Sequence, residues 1–107
     1  MNLPDTVLDA AYAVFEEWGP RRRIPRNERL AKRFPMLTAE EIAWLLGCMD
    51  EVSKTVWNIA EHGGEAKLGA TRVTERLQER HPFLHGAGLR QAVFLVNYYA
   101  WHEGYDQ

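Results

Sequence analysis

A run of cations in the first third of the sequence is the strongest candidate for chemistry. The stretch RRRIPRNERLAKR at 21–33 contains seven arginines and lysines in thirteen residues. Side chains of this type at this density bind the phosphates of nucleic acids, and such binding weakens steeply as salt rises. The candidate contacts are Arg21, Arg22, Arg23, Arg26, Arg29 and Lys32. One hypothesis for function is therefore a small nucleic-acid-associated regulator.

The acidic residues that follow weaken this hypothesis. Residues 20–36 have a charge of +6 (seven cations, one acid), and residues 37–65 have a charge of −5 (one cation, six acids). A short helix, a turn and a longer helix also follow one another as in a helix-turn-helix. However, Glu40 and Glu41 occupy the first turn of the longer helix, where a recognition helix would meet phosphates. The arginines therefore either face solvent or pair with the acids of the long helix.

The histidines and the cysteine give little support for a metal site or a nucleophile. His81 and His85 have a spacing that binds zinc when both lie on one helix, but Pro82 breaks the helix between them. Cys48 shares a predicted helix face with Trp44, which favours a small buried apolar residue. The sequence contains no phosphate loop, nucleophile elbow or HExxH pattern. We predict no catalytic residue, metal ligand or cofactor, and the sequence does not favour an enzyme.

The aromatic residues near the C-terminus form the second candidate site. The stretch LRQAVFLVNYYAW at 89–101 predicts a helix that is apolar on most of its circumference, and it is too short to cross a bilayer. Such a helix must be covered by its own chain or by a second copy. We predict a homodimer, with the central helix of a monomer as the alternative. The candidate self-association residues are Phe94, Leu95, Tyr98, Tyr99 and Trp101.

The same aromatic residues allow a third hypothesis, a helical bundle that binds a small molecule. Tyr98, Tyr99 and Trp101 could line an apolar pocket together with Trp44 and Trp57. At helical spacing in a chain of this size, a role in the core or in a subunit interface is the stronger interpretation.

Helical periodicity and capping residues predict five helices. Asp5 or Thr6 is expected to cap a first helix that runs to Trp18. Thr38 and Glu41 form a capping box at the start of a long helix that runs to about residue 62. Two short helices are expected at 26–34 and 70–80, a loop or an irregular helix start at 65–69, and a last helix at 86–103.

Two segments of the chain repeat each other. ERLAKRFPML at 28–37 and ERLQERHPFL at 75–84 share six of ten residues, and weaker similarity precedes both. The proline ends a short helix in each segment, so we predict the same conformation for both. The sequence thus predicts an all-α, compact bundle of about five helices, long and short alternating, that arose from a degenerate helical duplication of about 7–37 and 52–84.

Composition is typical of one globular domain that spans 1–107. Hydrophobic residues make up 46% of the sequence and charged residues 26%, with a net charge of −2. The acidic N-terminal stretch does not resemble a signal peptide or a membrane anchor, so the expected location is the cytoplasm. The main prediction is a non-enzymatic helical interaction or assembly module that binds itself or another protein and does not bind a membrane.

Overall fold

The computed structural model describes residues 2–107, apart from the side chain of Arg21. In this part of the chain the fold is all-α, as predicted, and contains no strand. A short 3₁₀ helix at Pro20–Arg23 follows the first α-helix. The α-helices are Asp5–Phe15 (α1), Arg26–Arg33 (α2), Ala39–Glu61 (α3), Gly64–Leu68 (α4), Ala70–Arg80 (α5) and Ala87–His102 (α6).

The described chain thus has six α-helices where five were predicted, because Gly64–Leu68 forms a helical turn of its own where a loop or an irregular helix start was expected. Gly63 has φ +98°, which ends α3 and lets the chain turn directly into α4. The side chain of Asn97 in α6 accepts a hydrogen bond from the backbone N–H of Glu65 at 2.9 Å. This long-range contact stabilises a turn whose sequence carries no strong helix signal.

Both ends of α1 differ from the prediction. Pro4 occupies the N-cap position, and Asp5 is the first helical residue rather than the cap. The helix ends at Phe15 instead of Trp18. Trp18 lies beyond the helix and packs against Phe94 and Tyr98 of α6.

The last helix is the central element of the bundle, and it packs against both α1 and α3. Its buried stripe is made of small and aliphatic residues, which allow close packing. α3 presents a similar buried stripe to the core. The buried residues of α6 are Gly88, Ala92, Leu95, Val96 and Ala100, and those of α3 are Ile42, Leu45, Met49, Val52, Val56, Ile59 and Ala60. Within residues 2–107, no helix is long and apolar enough to cross a membrane.

The two repeated segments form the same backbone turn. Phe34 ends α2 with φ −125° and ψ 68°, and His81 ends α5 with φ −135° and ψ 79°. The N–H of Leu37 donates to the carbonyl of Phe34 at 3.1 Å, and the N–H of Leu84 donates to the carbonyl of His81 at 3.0 Å. The turn geometry agrees with the prediction from the shared proline, and the duplication of the whole unit stays a prediction.

The helices that follow these turns begin in different ways. At the start of α3, the side chain of Thr38 accepts a hydrogen bond from the N–H of Glu41, and the Glu41 side chain accepts one from the N–H of Thr38. This capping box confirms the prediction. α6 has no side-chain cap of its own, and the carboxylate of Asp9 in α1 supplies one.

The Asp9 carboxylate accepts hydrogen bonds from four backbone N–H groups. They belong to His85, Gly86, Gly88 and Leu89, at 2.9–3.3 Å. Burial alone would raise the pKa of Asp9, but the hydrogen bonds from these N–H groups lower it below its ordinary value. The carboxylate therefore stays charged at neutral pH and fixes the start of α6 to α1.

Candidate interaction surface

Four aromatic side chains lie in contact on the outside of the C-terminal half of α6, and we call them the aromatic face. They are Trp18, Phe94, Tyr98 and Trp101. The ring centroid of Tyr98 lies 5.1 Å from that of Trp18, 6.2 Å from that of Phe94 and 6.3 Å from that of Trp101. Trp18 is 43% exposed, Phe94 51% and Trp101 67%. The face is therefore continuous and largely uncovered.

The helical repeat of α6 positions three of the four residues. Phe94, Tyr98 and Trp101 are spaced i, i+4 and i+7, which places them on one side of a helix. Trp18 reaches the same side from the chain that leaves α1, and its ring meets the Phe94 and Tyr98 rings edge-on. Edge-to-face packing is a favourable aromatic geometry and fixes the Trp18 indole.

The structure separates the residues predicted for self-association. Phe94, Tyr98 and Trp101 lie on the aromatic face, but Leu95 is fully buried in the core and cannot reach a second molecule. Tyr99 points to the side and stacks on Trp57, with centroids 4.1 Å apart and planes at 9°. The helical period explains this outcome, because positions 95 and 99 are turned about 100° from 94 and 98.

Trp18 was not among the residues predicted for this site, because the first helix was expected to run to this residue. The Gly19-Pro20 pair directly after it predicts a helix end nearby, but it does not show that Trp18 lies beyond the helix and contacts α6.

Arginines of the cationic stretch bind the carbonyl end of α1. Arg29 donates to the carbonyl oxygens of Glu17 at 3.2 Å and Phe15 at 3.0 Å, and Arg26 also donates to the Phe15 carbonyl at 3.1 Å. Gln91 donates to the carbonyl of Glu16 at 2.8 Å. These donors satisfy carbonyls that a helix end leaves unpaired, and the cations suit the negative end of the helix dipole.

These hydrogen bonds remove Arg29 from the candidate nucleic-acid contacts. Arg29 is only 6% exposed, so its guanidinium is a buried helix cap and not a surface phosphate contact. Within the described residues, its Nε has no hydrogen-bond partner. Arg22, Arg23 and Lys32 are exposed, and the Arg21 side chain lies outside the described residues.

Pairing between the arginines and the acidic long helix was the other possibility. Arg26 instead pairs with Glu16, the residue directly after α1, at 3.2 Å. Glu51 of α3 pairs with Lys54 of the same helix at 3.0 Å. The cationic stretch is thus joined to α1, because the exposed carbonyls and the Glu16 carboxylate lie at the end of that helix.

An open cleft of about 590 Å³ adjoins the aromatic face and shares Trp18 and Tyr98 with it, and we call it the arginine–aromatic cleft. The guanidinium of Arg22 lies 5.5 Å from the centre of the Trp18 ring. The Glu16 and Glu103 carboxylates, which also border the cleft, contact Arg26 and His102 respectively. The cleft is lined by Phe15, Glu16, Glu17, Trp18, Arg22, Arg23, Ile24, Pro25, Arg26, Arg29, Trp57, Tyr98, Tyr99, His102 and Glu103.

A hydrogen-bonded chain of polar side chains leads from the core to this cleft. The hydroxyls of Tyr12 and Ser53 are 3.1 Å apart, and Ser53 donates to the carboxylate of Glu16 at 3.1 Å. Burial raises the pKa of Tyr12 far above its ordinary value, and the nearby Glu16 charge adds to this effect. Tyr12 therefore stays protonated, and the chain of contacts holds α1 against α3.

The histidines and the cysteine do not form a reactive group. The His81 ring bonds to the Thr55 hydroxyl at 2.8 Å, and the His85 ring contacts the carbonyl of Phe83 at 2.8 Å. Burial raises the pKa of Cys48, as does the charge of Glu51, so the thiol is a weak nucleophile. No three metal-ligating side chains come together within residues 2–107.

Comparison with protein-family models, with curated proteins and with solved structures finds no match. The geometry of the molecule therefore carries the argument for function.

Proposed function

We propose that the protein is a non-enzymatic interaction module that forms a homodimer through its aromatic face. The observation that supports this proposal is the exposure of Trp18, Phe94 and Trp101 in one continuous cluster. Single exposed apolar residues are ordinary, but a contiguous exposed patch on a small domain marks a binding surface. Tryptophan, tyrosine and phenylalanine are also the residues enriched at the centres of interfaces.

A second copy of the chain fits this surface. Phe94, Tyr98 and Trp101 form a straight stripe along α6, so two α6 helices can pack against each other in antiparallel orientation. With Tyr98 near the two-fold axis, Phe94 of one copy lies beside the C-terminal turn of the other helix. The same patch then covers itself in both copies, as a two-fold interface requires.

The side chains of the aromatic face are already ordered in the single chain. Trp18 and Tyr98 hold each other edge-on, and the Phe94 ring stacks on Tyr98 at an angle of 20°. Side chains that are already ordered lose less conformational entropy on association. The rigid face therefore favours a defined partner geometry.

The test compares the solution mass of three proteins by light scattering over a range of micromolar concentrations. We expect the wild-type chain to approach twice the chain mass and Phe94→Glu to stay at the monomer mass, because a charge buried in the interface must be desolvated. Met36→Glu is the matched control, since Met36 is 72% exposed in the turn between α2 and α3, away from the face. It should remain a dimer.

A wild-type chain that keeps the monomer mass at high micromolar concentration would refute the proposal. A Phe94→Glu protein that remains dimeric would place the interface elsewhere. Circular dichroism verifies that both variants are folded, and Trp101→Glu serves as a second variant of the face if Phe94→Glu does not fold.

A further inference from the structure

The arginine–aromatic cleft combines exposed arginines with partly exposed aromatic rings. One wall is cationic and comes from the 3₁₀ helix, with Arg22 and Arg23 exposed. The other wall is aromatic and comes from α3 and α6, with Trp57 and Tyr99 stacked at 4.1 Å. Planar rings bind the faces of aromatic groups, and guanidinium groups bind phosphates through paired N–H donors.

The aromatic wall can accept one more ring. Tyr99 covers one face of the Trp57 indole, yet the indole is still 38% exposed, and it borders both the cleft and a second depression along α3. Stacking on Tyr99 also holds the indole in one orientation. A flat ligand of the size of a nucleobase therefore meets a rigid platform, and the volume of the cleft is in the range that binds small ligands.

The cationic wall can accept a phosphate. Within the described residues, neither Arg22 nor Arg23 is paired with a carboxylate. Arg22 is held over the Trp18 ring at 5.5 Å, which orders its guanidinium while leaving N–H donors at the edge. Since Arg26 pairs with Glu16, the cleft presents its available positive charge at Arg22 and Arg23.

We propose that this cleft binds a nucleotide, with the base stacked on Trp57 and the phosphate on Arg22 and Arg23. The ligand can be a free mononucleotide or one unit of a single-stranded nucleic acid, because both offer the same ring and phosphate. The proposal does not depend on self-association. It limits the phosphate contact to Arg22 and Arg23 within the cationic stretch, since Arg26 and Arg29 bind the end of α1.

Isothermal titration of the wild-type protein tests this with four probes: AMP, adenosine, inorganic phosphate and a single-stranded oligo(dA) of about ten nucleotides. We expect AMP to bind at least roughly tenfold more tightly than adenosine or phosphate, because only AMP engages both walls. Oligo(dA) that binds more tightly than AMP and weakens steeply with salt identifies a nucleic acid as the source. Equal affinity for both identifies the free nucleotide.

Two variants locate the contact. Arg22→Ala/Arg23→Ala should reduce AMP affinity to that of adenosine, and Trp57→Ala should reduce it by roughly fivefold or more. Arg80→Ala is the matched control, because Arg80 is an exposed arginine of α5 that does not line the cleft, and it should bind AMP as the wild type does.

AMP that binds no more tightly than adenosine would overturn the proposal, as would full affinity in the double arginine variant. Both arginines are exposed, and circular dichroism verifies that the double variant is folded. The solution mass of the double variant, measured in parallel, should equal that of the wild type. The proposal of nucleotide binding and the proposal of self-association can therefore be refuted independently of each other.

Discussion

The two ends of α6 differ in how completely the fold covers them. At the N-terminal end, the Asp9 carboxylate binds four backbone N–H groups, and Gly88 lies directly against α1. At the C-terminal end, Phe94 and Trp101 are exposed. The N-terminal end is thus fully packed and hydrogen-bonded to α1, and the C-terminal end leaves apolar surface exposed for a partner. Substitutions at the first end should change stability, and those at the second should change association.

The largest effect is expected for Gly88→Ala. A Cβ at this position would collide with the backbone carbonyl oxygen of Asp9, which cannot move without shifting α1. It would also press on the Asp9 carboxylate and disturb the hydrogen bonds at the start of α6. We expect the free energy of unfolding to fall by about 3 kcal/mol, measured by urea denaturation.

Gly47→Ala is the control for this substitution. Gly47 lies inside α3, and a Cβ there meets no other atom within 4 Å. Because alanine favours a helix interior, we expect the free energy of unfolding to rise by about 0.5–1 kcal/mol. A loss of stability in Gly47→Ala similar to that in Gly88→Ala would show that the close approach to α1 is not the cause.

Asp9→Ala should be the next most destabilising change. It leaves N–H groups at the start of α6 without an acceptor, and this cost is expected to be about 2 kcal/mol of unfolding free energy. Asp5→Ala is the control, since Asp5 is exposed in the first turn of the same helix, and it should cost about 0.5 kcal/mol. Equal costs in the two variants would contradict the remote cap. Thermal or urea denaturation measures both.

At the C-terminal end, Trp101→Ala should weaken self-association and leave the fold intact. We expect a loss of about 1–2 kcal/mol in dimer affinity, or roughly 5- to 30-fold in Kd, measured by sedimentation equilibrium. The unfolding free energy of the monomer should change by less than about 0.5 kcal/mol, because the ring is exposed. Unfolding is measured at concentrations below Kd, since dimerisation itself adds apparent stability.

A smaller effect on the free energy of unfolding is expected at low pH. The pKa of Asp9 is lower in the folded protein than in the unfolded chain, so the unfolded chain binds the proton more tightly. The stabilisation from Asp9 is fully present above its ordinary pKa of 3.8 and is lost as pH falls through the folded value. Asp9→Asn should therefore show a flatter decline of unfolding free energy below about pH 4. An unchanged decline would show that other carboxylates cause it.

The sequence predicted those features that depend on residues close together in the chain. The capping box of Thr38 and Glu41 and the helix Ala70–Arg80 agree with the structure because their signals are local. The cap of α6 was missed, since Asp9 lies more than seventy residues from the groups it binds. The glycines at 86 and 88, with no capping side chain between them, were the available signal that the cap comes from elsewhere.

The candidate sites were predicted only in part, because local spacing is visible in the sequence and long-range packing is not. Helical spacing identified Phe94, Tyr98 and Trp101, but it could not tell which side of α6 the bundle covers. That choice excluded Leu95 from the surface. The density of arginines suggested a phosphate site, whereas the unpaired carbonyls at the end of α1 determine where Arg29 lies. Such carbonyls have no signature in the sequence around the arginines.

Hydroxyl-radical footprinting across a dilution series tests most directly whether the aromatic face is the site of self-association. Trp101 and Met36 are similarly exposed, at 67% and 72%, but only Trp101 belongs to the face. We predict that the oxidation rate of Trp101 falls as the concentration rises from nanomolar to micromolar, in step with the increase in mass, while the rate of Met36 stays constant. A Trp101 rate that does not change across the same range would contradict the account.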